Sequence, residues 1–273
     1  MDIIQIAILG IVQAISEWLP LSSKTMDTLV YTRFFGGGAE SVIPLLLFLH
    51  IGTMLAAAVY FRDEIIRLAK KFLAAPTDWK AHSQGEIGFI ITALFFTGVI
   101  GFPILVAEKY FLPQLDASAL MVVMGAGLVI TGFLLSSQAK KRWRNFEAAT
   151  WKDGLLTGLM QGLSTLPGVS RAGTTTTALI WKGFDSESAF HLSFLLSIPT
   201  VFLAELVLWA AQGGLAIPAG FTVTEGLMLA ASSFVFGFLM LGALLKIAHR
   251  INVAWLAFAF GIMMLVVGLI GVG

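Results

Sequence analysis

Residues 158–171 read GLMQGLSTLPGVSR, and residues 10–23 read GIVQAISEWLPLSS. Both run Gly, two apolar residues, Gln (Gln13, Gln161), two more, Ser (Ser16, Ser164), then Leu-Pro and a serine cluster. Proline lacks the amide hydrogen and clashes with the turn before it, so a helix stops at each of these points. The shared residues are the polar ones and the break itself, so the two stretches read as copies of one element. Each surrounding region, 3–35 broken at Pro20 and 152–183 broken at Pro167-Gly168, is expected to form two half-length helices joined by a polar break. That is the pattern of a hairpin that enters a membrane and leaves by the same face.

Composition supplies the membrane. Of 273 residues, 58% are hydrophobic and 12% charged, where soluble domains carry about a quarter charged residues. The net charge is +1, with the basic residues spread among loops, so no nucleic-acid footprint is present. Cysteine is absent, which excludes disulfides, thiolate metal sites and cysteine nucleophiles. The opening MDIIQIAILGIVQAISEWLP lacks a basic leader region and a small-residue cleavage site, and reads as mature protein rather than signal peptide.

A bilayer core takes about 20 apolar residues per helix. Six stretches qualify: 42–61, 88–107, 118–137, 190–211, 226–246 and 252–271. The expected fold is therefore an all-α integral membrane protein, six transmembrane helices plus two re-entrant hairpins. It is one polytopic domain over 1–273, with one repeat at about 1–140 and the other at about 150–273. Three spans separate the hairpins, an odd number of crossings, so the repeats have inverted topology, as in many transporters. Basic residues give an independent test, because they accumulate inside. The loop after the first span has Arg62, Arg67, Lys70, Lys71 and Lys80, and the loop after the third has Lys140, Lys141, Arg142, Arg144 and Lys152. With Lys182, Lys246 and Arg250 this makes thirteen basic residues inside, against Arg33 and Lys109 outside. The expectation is a multi-pass plasma-membrane protein with both termini, and the mouth of the first hairpin, facing outward.

A charge at the bilayer centre costs about 2.5–3.5 kcal/mol on insertion scales, so such residues usually line a site. Glu17, Lys24, Asp27 and Arg171 fall in the hairpins, and His50 and Glu205 on full spans. Gln13 and Glu17, four apart, share a helix face just before the break. Ser22 and Ser23 follow it. In the second hairpin Ser170, Arg171, Gly173, Thr174 and Thr175 open a helix, whose free amides and dipole favour an anion. Two such ends with an arginine fork would make a phosphate pocket. Glu17 beside it could hold a divalent cation or act as a base. The plain structural alternatives are hydroxyls bonded to their own helix carbonyls and a Glu17–Arg171 pair that only locks helices together.

Gln13-x-x-x-Glu17, Leu19-Pro20-Leu21-Ser22-Ser23 and Pro167-Gly168-x-Ser170-Arg171-Ala172-x-x-Thr175 together resemble the undecaprenyl-diphosphatases, the BacA-type bacitracin-resistance phosphatases of lipid-carrier recycling. The resemblance spans the whole chain. It implies removal of the terminal phosphate of a polyprenyl diphosphate at the outer membrane face, with a divalent cation such as Mg²⁺ or Ca²⁺. It also implies that Glu17 binds metal or acts as base, that Arg171 holds phosphate, and that Ser22, Ser23, Ser170 and Thr175 supply donors or the nucleophile. Gln13, Lys24, Gly173 and Thr174 would line the substrate. There are two departures. Met26 stands where many members have a histidine that is a candidate acid or base, and Ala172 replaces a motif serine. His50, where members often carry glutamine, is the expected substitute for proton transfer. The expected partners are a polyprenyl diphosphate, phosphate and membrane lipids. A flippase or transporter of a lipid phosphate or other anion is the competing reading.

Overall fold

The computed structural model describes residues 1–38, 42–111, 114–138, 143–211, 222–247 and 253–270. Helix α1 (Ile3–Trp18) starts on an Asp2–Gln5 capping box and ends before Pro20. A short α2 (Ser23–Leu29) runs into a π-helical turn, Val30–Phe34. α3 (Val42–Tyr60) bends by 77° at Phe61 into the amphipathic α4 (Arg62–Ala74). There follow α5 (Trp79–Ser83), α6 (Glu86–Phe111) and α7 (Ala117–Ser136). The second broken pair is α8 (Trp151–Leu163) and α9 (Arg171–Trp181), and the chain closes with α10 (Ser186–Ala211), α11 (Val223–Ile247) and α12 (Val253–Ile270).

Five helices (α6, α7, α10, α11, α12) are long and apolar enough to cross a membrane, and α3 with its bent continuation makes a sixth. Both broken regions fall where Pro20 and Pro167 predict them. Phe95, Phe102, Phe133, Leu239 and Leu269 stand out from the helices into the surroundings, a surface that lipid can cover and water would penalise.

The second hairpin returns to its starting point, and Arg144 holds its two ends together. The Arg144 guanidinium donates to both oxygens of Asp153 at the start of α8 (2.9 and 2.7 Å) and to the Lys182 carbonyl at the end of α9. In the first, Tyr31 packs in one apolar cluster with Ile6 and Leu9, so the end of that hairpin lies beside the start of α1.

Two sets of loop ends are joined by contacts. Glu64 of α4 meets His191 near the start of α10 at 3.0 Å, and Phe146 from the loop after α7 stacks on the same ring at 4.4 Å. Elsewhere the N-terminal ammonium pairs with Glu225 at the start of α11. Lys140, Lys141, Arg142 and Arg250 lie outside the described residues, as do the side chains of Lys109 and Lys246.

Candidate active site

The first break is set by two residues. Pro20 stops α1, and Ser22 then takes a left-handed backbone (φ 59°), the only such non-glycine among the described residues. A side chain held there costs about 1–3 kcal/mol, which structures tolerate mostly at functional turns. The reversal points Ser23 back at α1, where its hydroxyl donates to Glu17 Oε2 at 2.6 Å. One turn earlier on α1, the Gln13 amide reaches Glu17 at 3.4 Å and Thr53 of α3 at 3.2 Å.

The second break uses Gly168, whose φ of 85° a glycine adopts without strain. Ser170 caps α9 by accepting from the Gly173 amide at 3.2 Å. Arg171 then opens the helix and donates to Glu17 Oε1 at 2.5 Å and to the Ser193 carbonyl at 3.2 Å. The two tips touch: a Cβ on Gly173 would lie 3.3 Å from Pro20 and 2.7 Å from Thr131 of α7. Two hairpins roughly 150 residues apart in sequence therefore close on a single carboxylate.

His50 completes the group from α3. Its Nδ1 lies 2.6 Å from the Leu46 carbonyl. A carbonyl only accepts, so Nδ1 carries the ring proton and Nε2 of the neutral imidazole is an acceptor. That Nε2 sits 3.3 Å from Ser23 Oγ and 3.5 Å from Glu17 Oε2. The single hydroxyl proton of Ser23 thus lies between two bases, with a guanidinium alongside. A hydroxyl between two bases is what an activated nucleophile requires, and a guanidinium is what grips an anion.

The whole chain has known relatives. The family described as bacitracin resistance protein BacA matches residues 6–270. This chain belongs to that family. It is 33% identical over 264 residues to the undecaprenyl-diphosphatase of Methanococcoides burtonii, covering 94% of each chain. It is 33% identical to that of Pyrobaculum aerophilum (99% of this chain, 98% of the other) and 35% identical to that of Geotalea daltonii (97% and 98%).

The BacA motif residues do not all face the same way. Glu17, Ser23, His50, Arg171 and Gln13 converge as described. Ser22 bonds Thr25 at 3.0 Å beside the turn. Ser170 is spent on the cap and on Thr131, which accepts from its amide at 3.0 Å. Thr174 and Thr175 donate to the Arg171 carbonyl at 3.0 and 2.8 Å, and Thr175 also bonds Ser193 at 2.6 Å. These hydroxyls brace the Arg171 turn. Lys24 is half-buried and makes no hydrogen bond among the described residues. Its charge reaches His50, Glu108 and Glu205. Met26 packs with Met121, Met124, Leu128 and Met264, within the apolar packing rather than on Glu17.

Thr53, Thr131 and Ser193 are the site residues that sequence reasoning missed. Each is a lone hydroxyl on a long apolar span, with no motif to mark it. As to a cation, no three His, Asp or Glu side chains gather closely enough among the described residues to hold a metal. Even so, Gln13 Oε1 and both oxygens of Asp27 are buried without a partner, and unpaired buried oxygens are what Mg²⁺ or Ca²⁺ would take.

Proposed function

We propose that this protein hydrolyses a polyprenyl diphosphate of the undecaprenyl type, giving the lipid monophosphate and inorganic phosphate. The observation that carries the reading is the convergence of Glu17, Ser23, His50 and Arg171 at the meeting of the two hairpin tips. Membership of a family whose relatives carry the name of a phosphatase favours hydrolysis over carriage of the lipid.

The distances support the following chemistry. Ser23 Oγ attacks the terminal phosphorus, and its proton passes to Glu17 or His50, both within reach. The phosphorus–bridging oxygen bond breaks and the lipid monophosphate leaves. The proton taken from Ser23 leaves with the lipid monophosphate, which restores the base. The base then takes a proton from water as the water attacks the phosphorus, and returns it to Ser23 Oγ as the phosphorus–serine bond breaks and phosphate leaves. Arg171 turns its fork from Glu17 to the phosphoryl oxygens, where charge accumulates in the transition state. A divalent cation, Mg²⁺ or Ca²⁺, would lie among the oxygen donors beside Glu17, and when bound supplies positive charge to the diphosphate.

The setting is the plasma membrane, with both termini and the site's mouth outside. The basic loops and the Glu64–His191 end support one face as inner, and the Met1–Glu225 end the other. An inverted repeat belongs to the same reading, and several matched contacts support it. Gln13 reaches Thr53 on the helix after its hairpin, and Gln161 reaches Thr200 on the helix after its own. Gly10 closes on Ser232 of α11, and its counterpart Gly158 on Ala93 of α6. The test is orthophosphate release from undecaprenyl diphosphate by purified protein with Mg²⁺ or Ca²⁺. Binding of the lipid without any release would sink the reading.

A further inference from the structure

In the reaction above, Arg171 turns from Glu17 to the phosphoryl oxygens, so its guanidinium needs a second hold while it moves. Helix α10 supplies one. Ser193 is fully buried there, against the first turn of α9. Its carbonyl accepts from Arg171 Nη1 at 3.2 Å, while Nη2 of the same fork donates to Glu17. A carbonyl has two lone pairs, so this contact leaves one for its own helix.

The Ser193 hydroxyl holds the other end of Arg171. It lies 2.6 Å from Thr175 Oγ1. Thr175 spends its one hydroxyl proton on the Arg171 carbonyl at 2.8 Å. Toward Ser193 it can therefore only accept, and the Ser193 hydroxyl is the donor. Serine inside a helix commonly turns its hydroxyl back onto a carbonyl of that helix, as Ser16 does to Val12 and Ser197 does to Phe194. Ser193 reaches across to α9 instead. The three residues close a ring in which Ser193 meets the guanidinium directly and the Arg171 backbone through Thr175.

We propose that Ser193 is the positioning residue about which the Arg171 fork turns. Nη1 stays on the Ser193 carbonyl while Nη2 swings from Glu17 to the phosphate. The guanidinium is planar and rigid, so fixing one nitrogen restricts where the other can go. A donor restricted in advance loses less freedom when it meets the anion. Ser193 itself touches no substrate atom and acts through Arg171 alone. The proposal rests on the phosphatase reading for the anion that draws Nη2 away, and its test does not depend on turnover.

The probe is a methylene-bridged analogue of undecaprenyl diphosphate, which cannot be cleaved at the bridge, in competition with undecaprenol on purified full-length protein. The readout is the preference for the anionic lipid over the neutral one, which a general loss of packing would leave unchanged. Ser193→Ala should narrow that preference about tenfold. In the Arg171→Ala background, the same substitution should change nothing further, because its only route is through that fork. A wild-type preference in Ser193→Ala, a further loss in the Arg171→Ala background, or no preference by wild type overturns the proposal. If Ser193→Ala does not fold, Thr175→Val breaks the same ring from its other side and is judged by the same outcomes. Phosphate release from undecaprenyl diphosphate is measured in parallel. Release by wild type with a preference that ignores Ser193 would remove Ser193 and keep the phosphatase. A preference that depends on Ser193, without release by wild type, would refute the phosphatase reading and leave the Ser193 hold standing.

Discussion

Glu17 receives Arg171, Ser23 and Gln13 at once, with His50 beside it, so its replacement has the widest effect of any single change. Glu17→Gln should lower phosphate release by about 10²–10³-fold, the usual weight of a positioned base. It should also cost about 3 kcal/mol in stability, because Arg171 is left enclosed without its counter-charge. Chemical denaturation in detergent measures the second effect separately from the first. His50→Gln should act differently. A base works only while neutral, so wild-type activity falls on the acid side of its profile, and the variant should lose that acid limb. An unchanged profile would remove His50 from proton transfer. At this scale the sequence was informative where a charge sat in apolar surroundings, as at Glu17 and Arg171. It was silent on Thr53 and Ser193, because a lone hydroxyl on a span looks the same whether it faces a site or its own helix. The direction of Met26 was equally hidden: only packing shows that it joins the methionines of α7 and α12.

The broken helices were legible because proline and glycine act locally. Pro20 ends α1 and Gly168 turns the second tip, whereas Pro103 and Pro199 lie inside α6 and α10, so it was proline together with its polar neighbours that marked the breaks. Ser22 was not legible, since its left-handed backbone is imposed by the fold around it. Replacing Ser22 with glycine should relieve that strain and preserve stability, while a β-branched valine should destabilise by about 1–3 kcal/mol and misplace Ser23. Measuring melting and activity of both variants together checks this. At the other end of the molecule, α4 is held to α10 through Glu64 and His191. Partial burial raises the Glu64 pKa, but the His191 hydrogen bond and the Arg67 charge outweigh it and hold the carboxyl below its ordinary 4.5. A depressed carboxyl stabilises above its unfolded pKa and loses that contribution as pH falls through the folded one. Protease protection of α4 should therefore fade as the pH falls below the ordinary carboxylate range, and Glu64→Gln should remove that dependence.

Across the whole molecule, the hairpins meet tip to tip while their ends are tied to opposite sets of loops. The basic-residue pattern predicts that these ends face opposite sides of the membrane, since charge bias acts over whole loops and not on single contacts. The absence of cysteine gives a clean background for testing it. Asp2→Cys should react with an impermeant thiol reagent from outside sealed right-side-out vesicles, and Lys80→Cys only after they are opened. Labelling of both from one side would break the topology. The central claim is that two distant hairpins build one phosphatase site around the Glu17–Arg171 contact. Orthophosphate release from undecaprenyl diphosphate, compared for wild type, Glu17→Gln, Arg171→Ala and the double variant, tests it most directly. The account predicts release by wild type, a loss of at least about 10²-fold in each single variant, and a double variant hardly worse than the weaker single, because residues acting as one unit are not additive. Full release by either single variant, or losses that multiply in the double, would contradict it.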